Sequence, residues 1–148
     1  MASLWDWTLE AYGRPGVPEA CLALQDHHGQ NVCLLLWAAW GGVSDVEVVG
    51  AAAAMARDWE IRVLAPLRAA RRGLKAPAPP VADVARESLR QDVKTAELRA
   101  EQVLMETLEG MGRAADRGRR LESLQAAAGA WGKPAPPQAL AALVAALG

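Results

Sequence analysis

The sequence predicts an all-α protein: a single helical-bundle domain of about six or seven helices around a buried central helix (32–40), with one long amphipathic helix (82–111) packed across it. Three observations carry this expectation. Alanine, the strongest helix former, occurs 32 times in 148 residues. No stretch keeps the period-two alternation of a half-buried strand. Capping residues, glycines and prolines divide the chain into helix-length segments.

The elements follow in order. Ser3 with Asp6 three residues later approximates a capping box, so a first helix runs to about Tyr12 and stops at Gly13. Pro15 and Pro18 suit a turn and the opening of a second helix, which continues through Gln25 to His28 and ends at Gly29. Asn31 is the expected N-cap of a third helix, Val32 to Trp40, stopped by Gly41-Gly42. That helix is apolar on every side, which makes it the central buried element. Ser44 with Glu47 reads as the capping box of a fourth helix, running past Trp59 towards Lys75 and kinked near Pro66.

Ala76-Pro77-Ala78-Pro79-Pro80 reads as a linker between an N-terminal helical part (1–75) and a C-terminal helical part (81–148) of the one domain, 1–148. Beyond it, Val84, Ala85, Leu89, Val93, Ala96, Ala100, Val103, Leu104, Leu108 and Met111 recur at steps of three or four. This is the long amphipathic helix, with Arg86, Glu87, Arg90, Lys94, Glu97 and Glu101 expected mostly outward. A weaker helix is expected from Arg113 to Ala130. After Lys133-Pro134-Ala135-Pro136-Pro137, a last short helix carries Leu140, Leu143, Val144 and Leu147 on one side, a stripe that must be covered by the chain's own core or by another subunit.

Composition narrows the function classes. Charged residues make up 22% and the net charge is −1, which excludes a strongly charged disordered chain and a basic nucleic-acid binder. The charge is nevertheless in blocks: −5 over 1–56, +4 over 57–75, −3 over 76–110 and +3 over 111–148. Such alternation suits helix-to-helix complementarity or self-association. The opening residues lack the basic and apolar regions of a signal peptide, and the longest apolar run, Val32 to Trp40, is too short to span a bilayer. Cytoplasm and no membrane insertion are the expectation, with Cys21 and Cys33 as reduced, buried thiols.

Chemistry-bearing residues are few. Gln25-Asp26-His27-His28-Gly29-Gln30-Asn31 is the densest polar group. Adjacent imidazoles beside a carboxylate could move a proton, but they diverge by about 100° on a helix and no third histidine completes a metal set. No metal and no cofactor are expected. Trp5, Trp7, Trp37, Trp40 and Trp59 cluster in the first 59 residues of a chain without Phe. They suit a core built otherwise of alanine, or the wall of a pocket. Trp5, Gln25, His27, His28 and Trp37 are accordingly the candidate ligand-binding residues. Arg68, Arg71, Arg72 and Lys75 form one basic face for an anion or an acidic partner, or simply complement a helix C-terminus. Arg113, Arg117 and Arg120 form a similar stripe. No phosphate loop, nucleophile elbow, Cys-x-x-Cys or His-Glu-x-x-His is present.

Ser3-Leu4-Trp5-Asp6-Trp7, Arg14-Pro15-Gly16-Val17 and the run from Cys21 to Trp37 together resemble an uncharacterised bacterial family, domain of unknown function 2390, most strongly over residues 3–60. The resemblance implies a short, cytosolic, helical protein of proteobacterial type. It marks Leu24–Gln25…Gly29…Val32…Leu35 as the signature region and carries over no catalytic residue. With no catalytic motif, the first reading is a non-enzymatic interaction or adaptor protein that uses a helical face to bind another copy of itself or a different protein. The alternative is a small-molecule-binding bundle or enzyme with a Trp/His-lined pocket near residues 25–37.

Overall fold

The computed structural model describes residues 2–113 and 119–148, which form eight α-helices and one π-helical turn, with no strand among the described residues. The helices are α1 (Leu4–Ala11), α2 (Val17–His28), α3 (Val32–Gly41), α4 (Val46–Trp59), α5 (Ala65–Gly73), α6 (Asp83–Met111), α7 (Arg120–Trp131) and α8 (Pro137–Leu147). The π-helical turn, Glu60–Leu64, joins α4 to α5 without a break in helical backbone.

Local chemistry accounts for most boundaries. The Ser3 hydroxyl accepts from the Asp6 amide and donates to its carboxylate, opening α1. α2 ends at Gly29, held at φ 61°, a left-handed conformation that a side chain strains. The Asn31 side chain accepts from the Leu34 amide at 2.9 Å and starts α3, and Gly42 at φ 63° ends it. The fourth helix departs from expectation. Its cap is Asp45 and not Ser44: the Asp45 carboxylate accepts from the Glu47 and Val48 amides at 3.0 and 3.1 Å. A charged acceptor next to the first turn also meets the positive end of the helix dipole, which a serine hydroxyl one residue earlier does not.

The kink expected near Pro66 takes the form of the π-helical turn. Pro66 has no N–H to offer the Arg62 carbonyl and its ring crowds that carbonyl, so the chain widens over the preceding residues while the helix continues.

α3 is the axis of the bundle. Every residue from Cys33 to Gly41 is buried, and α1, α2, α4, α6 and α7 all pack against it. A single core cluster runs from Leu4 to Leu147, so the parts before and after the Pro-rich segment share one interior. α8 docks on α2 and α7, with Leu140, Leu143 and Leu147 buried. The terminal apolar stripe is therefore covered by the chain's own core.

Two expectations about the second half change. α6 buries its apolar stripe only from Ala100 onwards, through Leu104, Met105 and Leu108. Val84 is 85% exposed and Leu89 51% exposed, whereas Glu97, expected outward, is buried. α5 packs beside α6 and carries Arg68, Arg71 and Arg72. Together α5 and the first half of α6 make a largely exposed two-helix arm. The weaker helix begins at Arg120 and not at Arg113, which is non-helical; residues 114–118 lie outside the described residues.

Leu143→Ala is expected to destabilise the protein by about 2–5 kcal/mol, the usual result of emptying a fully buried leucine site. Val46→Ala, at an 85% exposed position, is expected to stay within about 0.5 kcal/mol of wild type. Urea unfolding of the two variants checks both; similar midpoints would show that α8 is not part of the core.

Candidate functional site

A cavity of about 310 Å³ lies where α1, α2, the start of α3, the π-helical turn, α5 and α6 meet. Its apolar wall is built by Trp5, Leu9, Val32, Leu64, Leu98 and Met105, and its polar side by Gln25, Gln30, Asn31, Glu60, Arg68 and Glu101. Thr8, Tyr12 and Cys33 complete the lining.

Irregular backbone positions much of it. Gly29 turns the chain out of α2, and the Asn31 cap directs it into α3, so Gln30, Asn31, Val32 and Cys33 follow one another along one side. Glu60 and Leu64, the first and last residues of the π-helical turn, both reach the cavity. Single π turns inside α-helices recur at functional sites because they re-aim the side chains they carry. Gln30 is held from behind: its amide nitrogen donates to the Lys133 carbonyl at 2.7 Å, while its buried Oε1 has no partner among the described residues.

The charged groups form a short network. Arg68 donates to Glu60 at 2.9 Å and its Nε lies 3.9 Å from Glu97. Arg71 grips Glu97 with both Nε and Nη2, at 2.6 and 3.4 Å. Burial lowers the Arg68 guanidinium, but its hydrogen bond to Glu60 and the charges of Glu60, Glu97 and Glu101 outweigh this and hold it above its ordinary value. Glu101 lies one turn beyond Glu97, without a hydrogen bond or ion pair among the described residues. Burial first, and then the charges of Glu97 and Glu60, push its carboxyl above the ordinary 4.5 despite Arg68 and Arg71. The site thus contains a half-buried carboxyl that resists ionisation.

The thiols and the phenol are set against nucleophilic chemistry. Burial pushes the Cys21 thiol up to about 11, with a hydrogen bond from Tyr12 acting the other way. Cys33 is raised further, by burial and then by the carboxylates of Glu101 and Glu60. Tyr12 is raised by burial and by Cys21. A thiol in this state is a poor nucleophile at neutral pH, and both cysteines are free and buried.

The structure divides the candidate ligand-binding residues. Trp5 and Gln25 line the cavity. Trp37 does not: it is fully buried in α3, with its indole N–H donated to the Gly112 carbonyl at 3.1 Å. His27 is exposed and His28 half-buried, and neither is part of the lining. α2 ends at His28, so the turn residues Gln30 and Asn31, rather than the imidazoles, border the cavity. Among the described residues no group of three His, Cys, Asp or Glu side chains is placed to hold a metal ion.

The basic faces also divide. Arg68 and Arg71 turn into the network with Glu60 and Glu97, because α5 packs on α6, while Arg72 and Lys75 remain exposed. Arg113 lies over the Trp40 ring at 4.7 Å and Arg120 over Trp7 at 6.0 Å. Arg117 lies outside the described residues.

Sequence reasoning did not place Glu60, Leu64, Leu98 or Glu101 at the site. A signal existed in two acids four residues apart, Glu97 and Glu101, within the apolar stretch Ala96, Ala100, Val103 and Leu104.

A family model described as protein of unknown function (DUF2390) matches residues 3–108. The chain belongs to this family. No curated protein and no solved structure matches it. The match runs well beyond residue 60, where the resemblance in residues was strongest, and contains every residue that lines the cavity. α7 and α8 lie outside it, although both help to build the core. The DUF2390 region of this chain therefore supplies the whole site, and the C-terminal helices support it from behind.

Because burial holds the folded-state carboxyl above its unfolded value, Glu101 contributes stability that is complete below about pH 4.5 and is lost as pH rises through the raised value. Glu101→Gln, which cannot ionise, is expected to melt above wild type at pH 7.5 and to converge with it as pH falls below 4.5. Melting curves by circular dichroism across this range decide; a gap independent of pH would contradict the burial of the charge.

Proposed function

We propose that this DUF2390 protein binds a small molecule in the cavity bordered by Trp5, Val32, Leu64 and Met105. The observation that carries this reading is the cavity itself. Its volume of about 310 Å³ falls at the lower end of the ligand-pocket range. It combines an apolar wall with a few convergent polar groups, the usual make-up of ligand sites. The π-helical turn before Pro66 brings Glu60 and Leu64 to this cavity. The buried free thiols are consistent with a reducing compartment, and we place the protein in the cytoplasm on that ground. Among the described residues no helix is long and apolar enough to cross a membrane.

A ligand present at 100 times its Kd stabilises the native state by about 2.7 kcal/mol, which for a chain of this size raises Tm by about 5–10 °C. A thermal-shift screen of small apolar and amphipathic compounds is expected to find such ligands. Val32→Phe, which fills the cavity, should remove the shift while the variant still melts cooperatively. A screen with no shift in wild type, or shifts that survive in Val32→Phe, would overturn the assignment.

A second reading, an adaptor that binds a protein or another copy of itself, is favoured by the arm, where Val84 and Leu89 are more than half exposed. The terminal helix gives it no support, since its leucines are used internally. If the arm is an interface, light scattering should find an assembly in wild type and a monomer in Val84→Glu/Leu89→Glu. An unchanged mass removes this reading.

A further inference from the structure

We infer that the cavity selects a cationic ligand, a small aromatic or branched aliphatic amine whose ammonium group is received by the Glu101 carboxylate. This rests on the cavity reading above and deepens it.

The argument is one of charge and pairing. Two carboxylates, Glu60 and Glu101, and one guanidinium, Arg68, reach the cavity. The guanidinium is already engaged by Glu60 at 2.9 Å, with Glu97 3.9 Å away, and Glu97 is itself gripped by Arg71. Glu101 is thus the cavity acid with no ion-pair partner among the described residues, on an apolar-walled site that removes it from water. An anionic ligand would have to take Arg68 from Glu60 and then sit beside Glu101, opposed by like charge. A neutral ligand would strip more water from the carboxylate and return at most an uncharged hydrogen bond, a poorer exchange for a buried charge. A cation repairs both defects, because a charge-assisted hydrogen bond in a low-dielectric site is the strong kind.

The apolar part of the ligand would rest against the Trp5 ring, Val32 and Met105. Other groups around Glu101 do not supply the missing positive charge. On α6 it has Glu97, on the π-helical turn Glu60, just past α1 the Tyr12 phenol and on α3 the Cys33 thiol, the last two held neutral. Arg68 and Arg71 on α5 are the cations, each already paired. Because burial holds the carboxyl high, binding should weaken as pH falls at values above those where an exposed glutamate would titrate.

The test uses two matched sets of probes on the full-length protein at pH 8: 2-phenylethylamine, 2-phenylethanol and 3-phenylpropionate, and tryptamine, tryptophol and indole-3-propionate. Calorimetric titration reads the affinities. In each set the amine is expected to bind about tenfold or more tightly than the alcohol, and the acid more weakly than either. Glu101→Gln should reduce the amine to the level of the alcohol while alcohol binding is kept, which also shows that the variant is folded. Glu106→Gln, at an exposed acid of the same helix, should change nothing. Equal binding of amine and alcohol, or amine binding untouched by Glu101→Gln, overturns the inference and leaves the cavity reading intact. If none of the six binds while the thermal-shift screen yields another ligand, the inference alone falls. If neither experiment finds a ligand, both fall together.

Discussion

The structure depends on one constraint: α3 is apolar on every side and must be surrounded. Nine consecutive residues, Cys33 to Gly41, are buried, and a ten-residue helix of this kind has no face for water. Five helices pack on it directly, from both ends of the chain. Apolar burial is non-directional, so it dictates that α3 be enclosed but not by which neighbour. Directional contacts settle the neighbours.

Tryptophan provides several of these. Each indole buries a large ring but leaves one N–H that needs an acceptor. Trp37 donates to the Gly112 carbonyl just beyond α6, Trp59 to the Ala100 carbonyl within α6, and Trp131 to the Gly29 carbonyl at the end of α2. Each bond joins segments more than 40 positions apart and meets either a carbonyl near a helix end or one inside the long helix. Arg57 adds to the last of them by lying over the Trp131 ring, 5.2 Å from its centroid. In a chain whose core is otherwise rich in alanine, which slides easily against a neighbour, these contacts give the bundle its register.

The cavity is a consequence of the same arrangement at its edge. Where α3 begins, the enclosing helices diverge: α2 ends at Gly29, the α4–α5 rod widens before Pro66, and α6 passes from the bundle into the arm. The space left is lined by small turns and by residues at the ends of regular packing. The Glu60, Arg68, Arg71 and Glu97 network holds the arm to the bundle at this point. Paired buried charges contribute little net stability compared with apolar packing, but their geometry is specific. They orient α5 on α6 and leave Glu101 facing the cavity.

From the sequence alone, the all-α class, the central helix, its caps at Asn31 and Gly42, the end of α2 at Gly29 and the extent of the long helix were all legible. Each depends on local chemistry: propensity, a side-chain cap, a left-handed glycine, or uninterrupted apolarity. The resemblance to DUF2390 was legible too, in the residues of the first helices. Trp5 and Gln25, which line the cavity, were among the residues singled out from the sequence, whereas Glu60, Leu64 and Glu101 were not. Their presence at one cavity depends on how α6 crosses the π-helical turn, a relation between segments about 40 residues apart. Glu97 illustrates the difference most plainly. Periodicity placed it on the outer face of an amphipathic helix, where a carboxylate is well solvated. The tertiary structure brought two arginines of α5 against that face, and their charge made it favourable for the acid to be buried there. A helical repeat records which residues share a face; only the neighbouring helix decides whether that face meets water.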